Sequence, residues 1–137
     1  MRRDTAFMAV DAEIVLRGIE AYNAGDLEGM LEHTDPEITM VPVRALLEGG
    51  EYRGHEGVRK FLTDMEEDWE SRRIEVDEIR DAGDDGVLVL GTFAATGRTG
   101  TEVRYPLAWH SRFRDGKLWR LQAYSDRDAA LRALDQP

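Results

Sequence analysis

Apolar residues recur at helical spacing over residues 5–24. Met8, Ala12, Val15, Ile19 and Tyr22 form one stripe, widened by Phe7, Val10 and Ile14. "NAGD" at 23–26 ends this helix: Gly25 suits the left-handed position past a helix end, and Asp26 can cap a short second helix over about 27–33. Pro36 stops that helix, and the β-branched Ile38, Thr39 and Val41 predict a strand to about Val43. "RALLEGGEYRG" reads as a looser segment with a short strand at Glu51–Arg53. A third helix is expected from His55 to Glu70, burying Val58, Phe61, Leu62, Met65 and Trp69. Strands follow near 73–82, 86–97, 102–114 and 117–125, separated by "DAGDDG", "GRTGT" and "RDGK". Asp115–Gly116 between two apolar-alternating runs predicts a two-residue type I′ hairpin. Asp126 reads as the N-cap of a terminal helix through about Leu134.

This order predicts one α+β domain, with helices packed on one face of a curved sheet. A sheet curled around a helix leaves a conical cavity, a common place for small ligands. There are no repeats, low-complexity tracts or linkers, so no second domain is expected.

Composition narrows the functions. The chain has 137 residues, 28 acidic against 18 basic, and a net charge of -10. That balance disfavours nucleic acid and anionic membrane surfaces as partners, since both need a basic patch. The absence of cysteine excludes disulfides, thiolate metal sites and a Cys nucleophile. "MRRDTAFMAVDAEIVL" does not read as a signal peptide, because Asp4, Asp11 and Glu13 break its apolar run, and no stretch is long enough to span a membrane. The expected address is the cytoplasm.

No motif announces a cofactor. "HEGVR" lacks the second His of a zinc-binding HExxH helix, and three dispersed His residues without a fixed spacing make a weak metal case, though carboxylates could complete one. His33 is expected to face solvent. "GGEYRG" lacks the Lys-Ser/Thr of a phosphate loop, and "TFAATGRTG" lacks dinucleotide spacing. No cofactor and no metal are therefore expected.

Three segments, "RGIEAYNAGDLEGMLEHTDPEITMVPV", "YRGHEGVRKFL" and "FRDGKLWRLQAYSDRDAAL", resemble the SnoaL-like branch of the nuclear transport factor 2-like (ketosteroid isomerase-like) superfamily. The resemblance runs from about Asp11 to Leu134. It implies a cone-shaped curved antiparallel sheet wrapped around three N-terminal helices, a cystatin-like α+β barrel, and a homodimer formed through the outer sheet face. It leaves activity open, because this fold hosts isomerases, polyketide cyclases, epoxide hydrolases, dehydratases and non-catalytic adaptors.

The same resemblance locates missing chemistry. The steroid isomerases' oxyanion-hole tyrosine would fall at Gly18, their general base at Val41 before Pro42, and their second oxyanion-hole acid at Trp109. Gly, Val and Trp side chains offer neither a proton-abstracting carboxylate nor an oxyanion donor of that kind. The limonene-type epoxide hydrolases' Arg-x-Asp pair is absent from "GVLVLGTFAAT", and their last-strand carboxylate would fall near Ala123.

Strand alternation orients the rest. With Trp109 inward, Tyr105, Leu107, Ser111 and Phe113 share its face, while Ala108, His110, Arg112 and Arg114 lie outside. Trp119, Leu121 and Ala123 form the apolar set of the last strand. The expected ligand pocket is Gly18, Tyr22, Val41, Trp69, Leu107, Trp109, Ser111 and Leu121. The expected dimer face is His110, Arg112, Arg120, Gln122 and Tyr124. The leading reading is a protein that binds a small apolar molecule. An isomerase or cyclase using Tyr22, His55 or Glu56 is the alternative, and a protein-interaction module using Arg112, Arg114 and Arg120 is a third.

Overall fold

The computed structural model describes residues 5–82, 86–124 and 126–134, with side chains between 10 and 133. Its elements are α1 (Thr5–Ala24), α2 (Leu27–Leu31), β1 (Thr34–Val41), α3 (Val43–Glu48), β2 (Tyr52–Arg53), α4 (Gly54–Asp68), β3 (Trp69–Asp81), β4 (Val87–Gly97), β5 (Glu102–Arg114), β6 (Lys117–Tyr124) and α5 (Arg127–Leu134).

Local chemistry explains most boundaries. Gly25 has φ +71°, and the Gly25 and Asp26 N–H groups donate to the Tyr22 and Ala21 carbonyls, which closes α1 with a Schellman motif. Asp26 Oδ1 then accepts from the Gly29 N–H at 3.0 Å and starts α2. Asp115 and Gly116 both have positive φ, 52° and 75°, as a type I′ hairpin between β5 and β6 requires. Asp126 caps α5 by accepting from the Ala129 N–H at 2.7 Å.

Several expectations are corrected. Pro36 does not precede the first strand but lies inside β1, exposed, where the ladder is irregular between Thr34 and Thr39 and no proline N–H is needed. "VRALLE" is a helix rather than a loose segment. Trp69 does not belong to α4: it opens β3 with extended backbone. Val10 is exposed rather than part of the buried stripe, and Phe7 and Met8 lie outside the residues with described side chains. The centre of "DAGDDG", and the strand end expected at Ser125, also lie outside the described residues.

The six strands form one curved, unclosed sheet in the order β2-β1-β6-β5-β4-β3. It is not wholly antiparallel, because β1 and β6 pair in parallel. Four helices, rather than three, precede the long strands. The sheet bends where β3 bulges between Val76 and Glu78 opposite Gly91. A Cβ on Gly91 would come within 2.5 Å of the Glu75 carbonyl oxygen, so a side chain cannot fit at that crossing.

The core lies on the concave side, where Val15 and Tyr22 of α1 and Leu62 and Met65 of α4 meet Val87, Val89, Phe93, Leu107 and Trp109. The convex side is partly covered too. Ala130 of α5 is fully buried against Leu88, Leu90 and Ala108, with Tyr124 and Leu131 packed around them. Among the described residues, no helix is long and apolar enough to cross a membrane.

Candidate ligand cavity

Between the concave sheet and α1, α3 and α4 lies a cavity of about 330 Å³, within the usual range of small-molecule sites. β5 supplies alternate residues to its wall: Tyr105, Leu107, Trp109, Ser111 and Phe113. Trp69 contacts Phe93 edge to face, with centroids 5.6 Å apart, and Phe93 leans on Tyr105 at 5.2 Å. Tyr22 stacks on Phe61 at 5.8 Å. The wall is therefore mostly aromatic and aliphatic.

Of the residues expected to form the pocket, Gly18, Tyr22, Trp69, Leu107, Trp109, Ser111 and Leu121 line this cavity. Val41 does not. The register of β1 turns Ile38 and Met40 toward the cavity, and Pro42 joins them just beyond the strand. The inward position therefore again carries no acid. Gly18 has no atom within 4 Å of where a Cβ would stand, so close packing does not account for it. Trp119 also departs from expectation. A register shift between Arg112 and Phe113 pairs Phe113 with Leu118, so Leu118 lines the cavity instead. Trp119 sits between the Arg114 and Arg120 guanidinium groups, each 4.8 Å from its ring centre.

Two buried hydroxyls on the wall, Tyr22 Oη and Ser111 Oγ, lack a hydrogen-bond partner among the described residues. Ser111 is 1% exposed. Tyr22 lies beneath Arg72, whose guanidinium is 4.7 Å from the ring centre and donates to the Tyr22 carbonyl. Burial pushes the Tyr22 hydroxyl up to about 12, although the Arg72 cation opposes the shift. Burial also raises Tyr105.

His55 and Glu56 do not line the cavity. His55 Nε2 donates to the Thr34 carbonyl at 2.9 Å, tying the start of α4 to β1. Glu56 is exposed and pairs loosely with Arg59 at 3.5 Å. His33, expected in solvent, keeps 38% of its side chain exposed and also reaches the cavity edge. Among the described residues no three His, Asp or Glu side chains converge on a metal-sized site.

The charged part of the wall is confined to the edge where α3 meets α4, and the sequence reading did not find it. Arg44 Nε donates to Asp68 at 2.7 Å, and its Nη1 donates to Glu48 at 3.0 Å and to the Tyr52 hydroxyl at 3.1 Å. Tyr52 donates in turn to the buried Asp64 at 2.7 Å, which Lys60 also contacts at 3.0 Å. The Tyr52 hydrogen bond and the Lys60 ammonium hold the Asp64 carboxyl below its ordinary range. Leu47, 82% exposed yet part of the wall, marks where the cavity opens to solvent.

The outer face differs from expectation in one part. Tyr124 packs beneath α5 within the chain. His110, Arg112 and Gln122 are half-buried and Arg120 is exposed.

Comparison with known proteins agrees with this architecture. Residues 15–121 match the SnoaL-like domain family. The crystal structure of TerC co-crystallised with polyporic acid is 26% identical, covering 93% of this chain and 99% of that one, with a TM-score of 0.75. An NTF2-like protein from Burkholderia thailandensis is also 26% identical, covering 93% and 98%, with a TM-score of 0.70. A protein of ketosteroid isomerase-like fold from Catenulispora acidiphila, in complex with trimethylamine, is 19% identical, covering 91% and 94%, with a TM-score of 0.72. No curated protein matches the sequence.

Proposed function

Because the chain belongs to the SnoaL-like family, we propose that it binds a small, largely apolar molecule in the cavity under its concave sheet. The observation that carries this reading is the cavity of about 330 Å³ walled by Trp69, Trp109, Phe61 and Phe93. A space of that size and lining suits one or two fused rings better than a long chain. The polyporic acid crystallised with TerC is a precedent for a small organic ligand on this fold.

Binding is favoured over acid–base catalysis. Tyr22 is the one expected acid–base candidate that lines the cavity, and its value of about 12 lies far from neutrality. Such a hydroxyl suits hydrogen-bond donation better than proton transfer. Gly18→Leu tests the reading, because a Cβ at this lining position meets no atom within 4 Å and the rest of the side chain extends from there. Equilibrium dialysis with naphthalene should show saturable binding to the wild type and at least tenfold weaker binding to Gly18→Leu. Absence of saturable binding by the wild type overturns the proposal.

A second copy is the proposed partner for the part of the outer face that α5 leaves open, around His110, Arg112, Arg120 and Gln122. Trp119, held flat between two arginines, gives that face an aromatic centre of the kind enriched in interfaces. Sedimentation should give the mass of a dimer, weakened by Trp119→Asp. A monomer at all concentrations refutes it.

A further inference from the structure

We infer that Ser111 Oγ is the polar anchor of the cavity, and that the ligand is a neutral, flat ring compound with a hydroxyl or carbonyl group placed against it. The inference rests on the cavity being a ligand site and adds the ligand's chemistry.

Ser111 lies on β5 between inward-facing Trp109 and Phe113, opposite Val87 on β4 and Leu121 on β6. Its neighbours on the wall are therefore apolar. Ser111 is 1% exposed, and its buried hydroxyl makes no hydrogen bond among the described residues. A buried hydroxyl without a partner loses its hydration and gains nothing in return. A ligand hydroxyl or carbonyl supplies the missing partner, since a serine hydroxyl both donates and accepts.

The rest of the wall sets the charge. Arg44, Glu48 and Asp68 are its fully charged residues, and they pair with one another at the α3–α4 edge. The strand neighbours of Ser111 (Trp109, Phe113, Val87 and Leu121) carry no charge to neutralise an ionic group, His33 lies at the cavity edge, and an unpaired ion in an apolar cavity is strongly disfavoured. The stacked and edge-on aromatic rings favour a flat molecule.

The test compares 2-naphthol, naphthalene and 2-naphthalenesulfonate by equilibrium dialysis at neutral pH, with wild type and Ser111→Ala. In the wild type, 2-naphthol should bind roughly tenfold tighter than naphthalene or better, and the sulfonate weakest. Ser111→Ala should abolish the preference for 2-naphthol while binding naphthalene at least as well as the wild type. The retained naphthalene binding shows that the variant is folded. Equal affinities for 2-naphthol and naphthalene in the wild type overturn the anchor and leave the binding site standing. A preference that survives Ser111→Ala overturns the assignment to Ser111. Sulfonate binding as tight as 2-naphthol overturns the neutral class. No binding of any of the three defeats the cavity reading itself.

Discussion

Ser111 buries its hydroxyl among apolar strand neighbours, whereas the Tyr22 hydroxyl is buried beside the Arg72 cation. Replacing an unpartnered buried polar group with an apolar one of similar shape relieves its desolvation. Ser111→Ala should therefore stabilise the empty protein by about 1 kcal/mol, read as a higher urea midpoint at unchanged slope. A lower midpoint means that the hydroxyl is satisfied in solution. Tyr22 has a pH signature as well. Its folded value of about 12 exceeds the ordinary 10.0, so the folded state holds the proton more tightly than the unfolded chain. Its contribution is complete below pH 10 and is lost as pH rises toward 12. Tyr22→Phe should remove that part of the alkaline loss of stability. An alkaline profile identical to wild type contradicts the burial of this hydroxyl.

At the scale of elements, α3 carries the clearest consequence. This six-residue helix follows Pro42, ends at Gly49, and is tied to α4 and β2 through Arg44, Tyr52 and Asp64. Because the Asp64 carboxyl is held below its ordinary 3.8, its contribution is complete above that value and lost as pH falls through the lower folded one. Asp64→Asn should weaken this tie, lower stability at neutral pH by about 1–3 kcal/mol, and flatten the acid limb of the stability profile. Unchanged stability would show that the network carries little weight. The sequence reading missed α3 because six residues span fewer than two turns, too few for a period to appear, and nearby glycines mimic a loop. Trp69 was misplaced for a related reason. Four residues after Met65, it continues the helical stripe, yet it also faces inward as the first residue of β3. The long strands and the Asp115–Gly116 hairpin were legible because their alternation persists and the turn demands positive φ. The bulge that displaces Trp119 was not, since one residue inverts the pattern without changing it locally. Ser111 was legible as an inward position from strand alternation, whereas the Arg44 network joins α3, β2 and α4, and periodicity carries no signal for it.

For the whole molecule, α5 limits which surfaces remain for partners. Ala130 is completely buried on the convex face, so Ala130→Asp forces a carboxylate against Leu88, Leu90 and Ala108. The expected cost is at least about 2 kcal/mol, measured by denaturant unfolding, with increased aggregation as the apolar face opens. A change below about 0.5 kcal/mol would mean that α5 is not docked there in solution. The sheet order has a further consequence, in time rather than space. β1 is joined to the long strands through β6, and Asp35 of β1 also meets Arg114 at the end of β5, 79 residues away in sequence. Until β6 is synthesised, β1 has only the two-residue β2 beside it, and one wall of the cavity is missing. Closing so long a loop is entropically costly and slow relative to local hairpins. The hairpin of β5 and β6 should form early in refolding, docking of β1 should limit the rate, and the ability to hold a ligand should be the last property the nascent chain acquires.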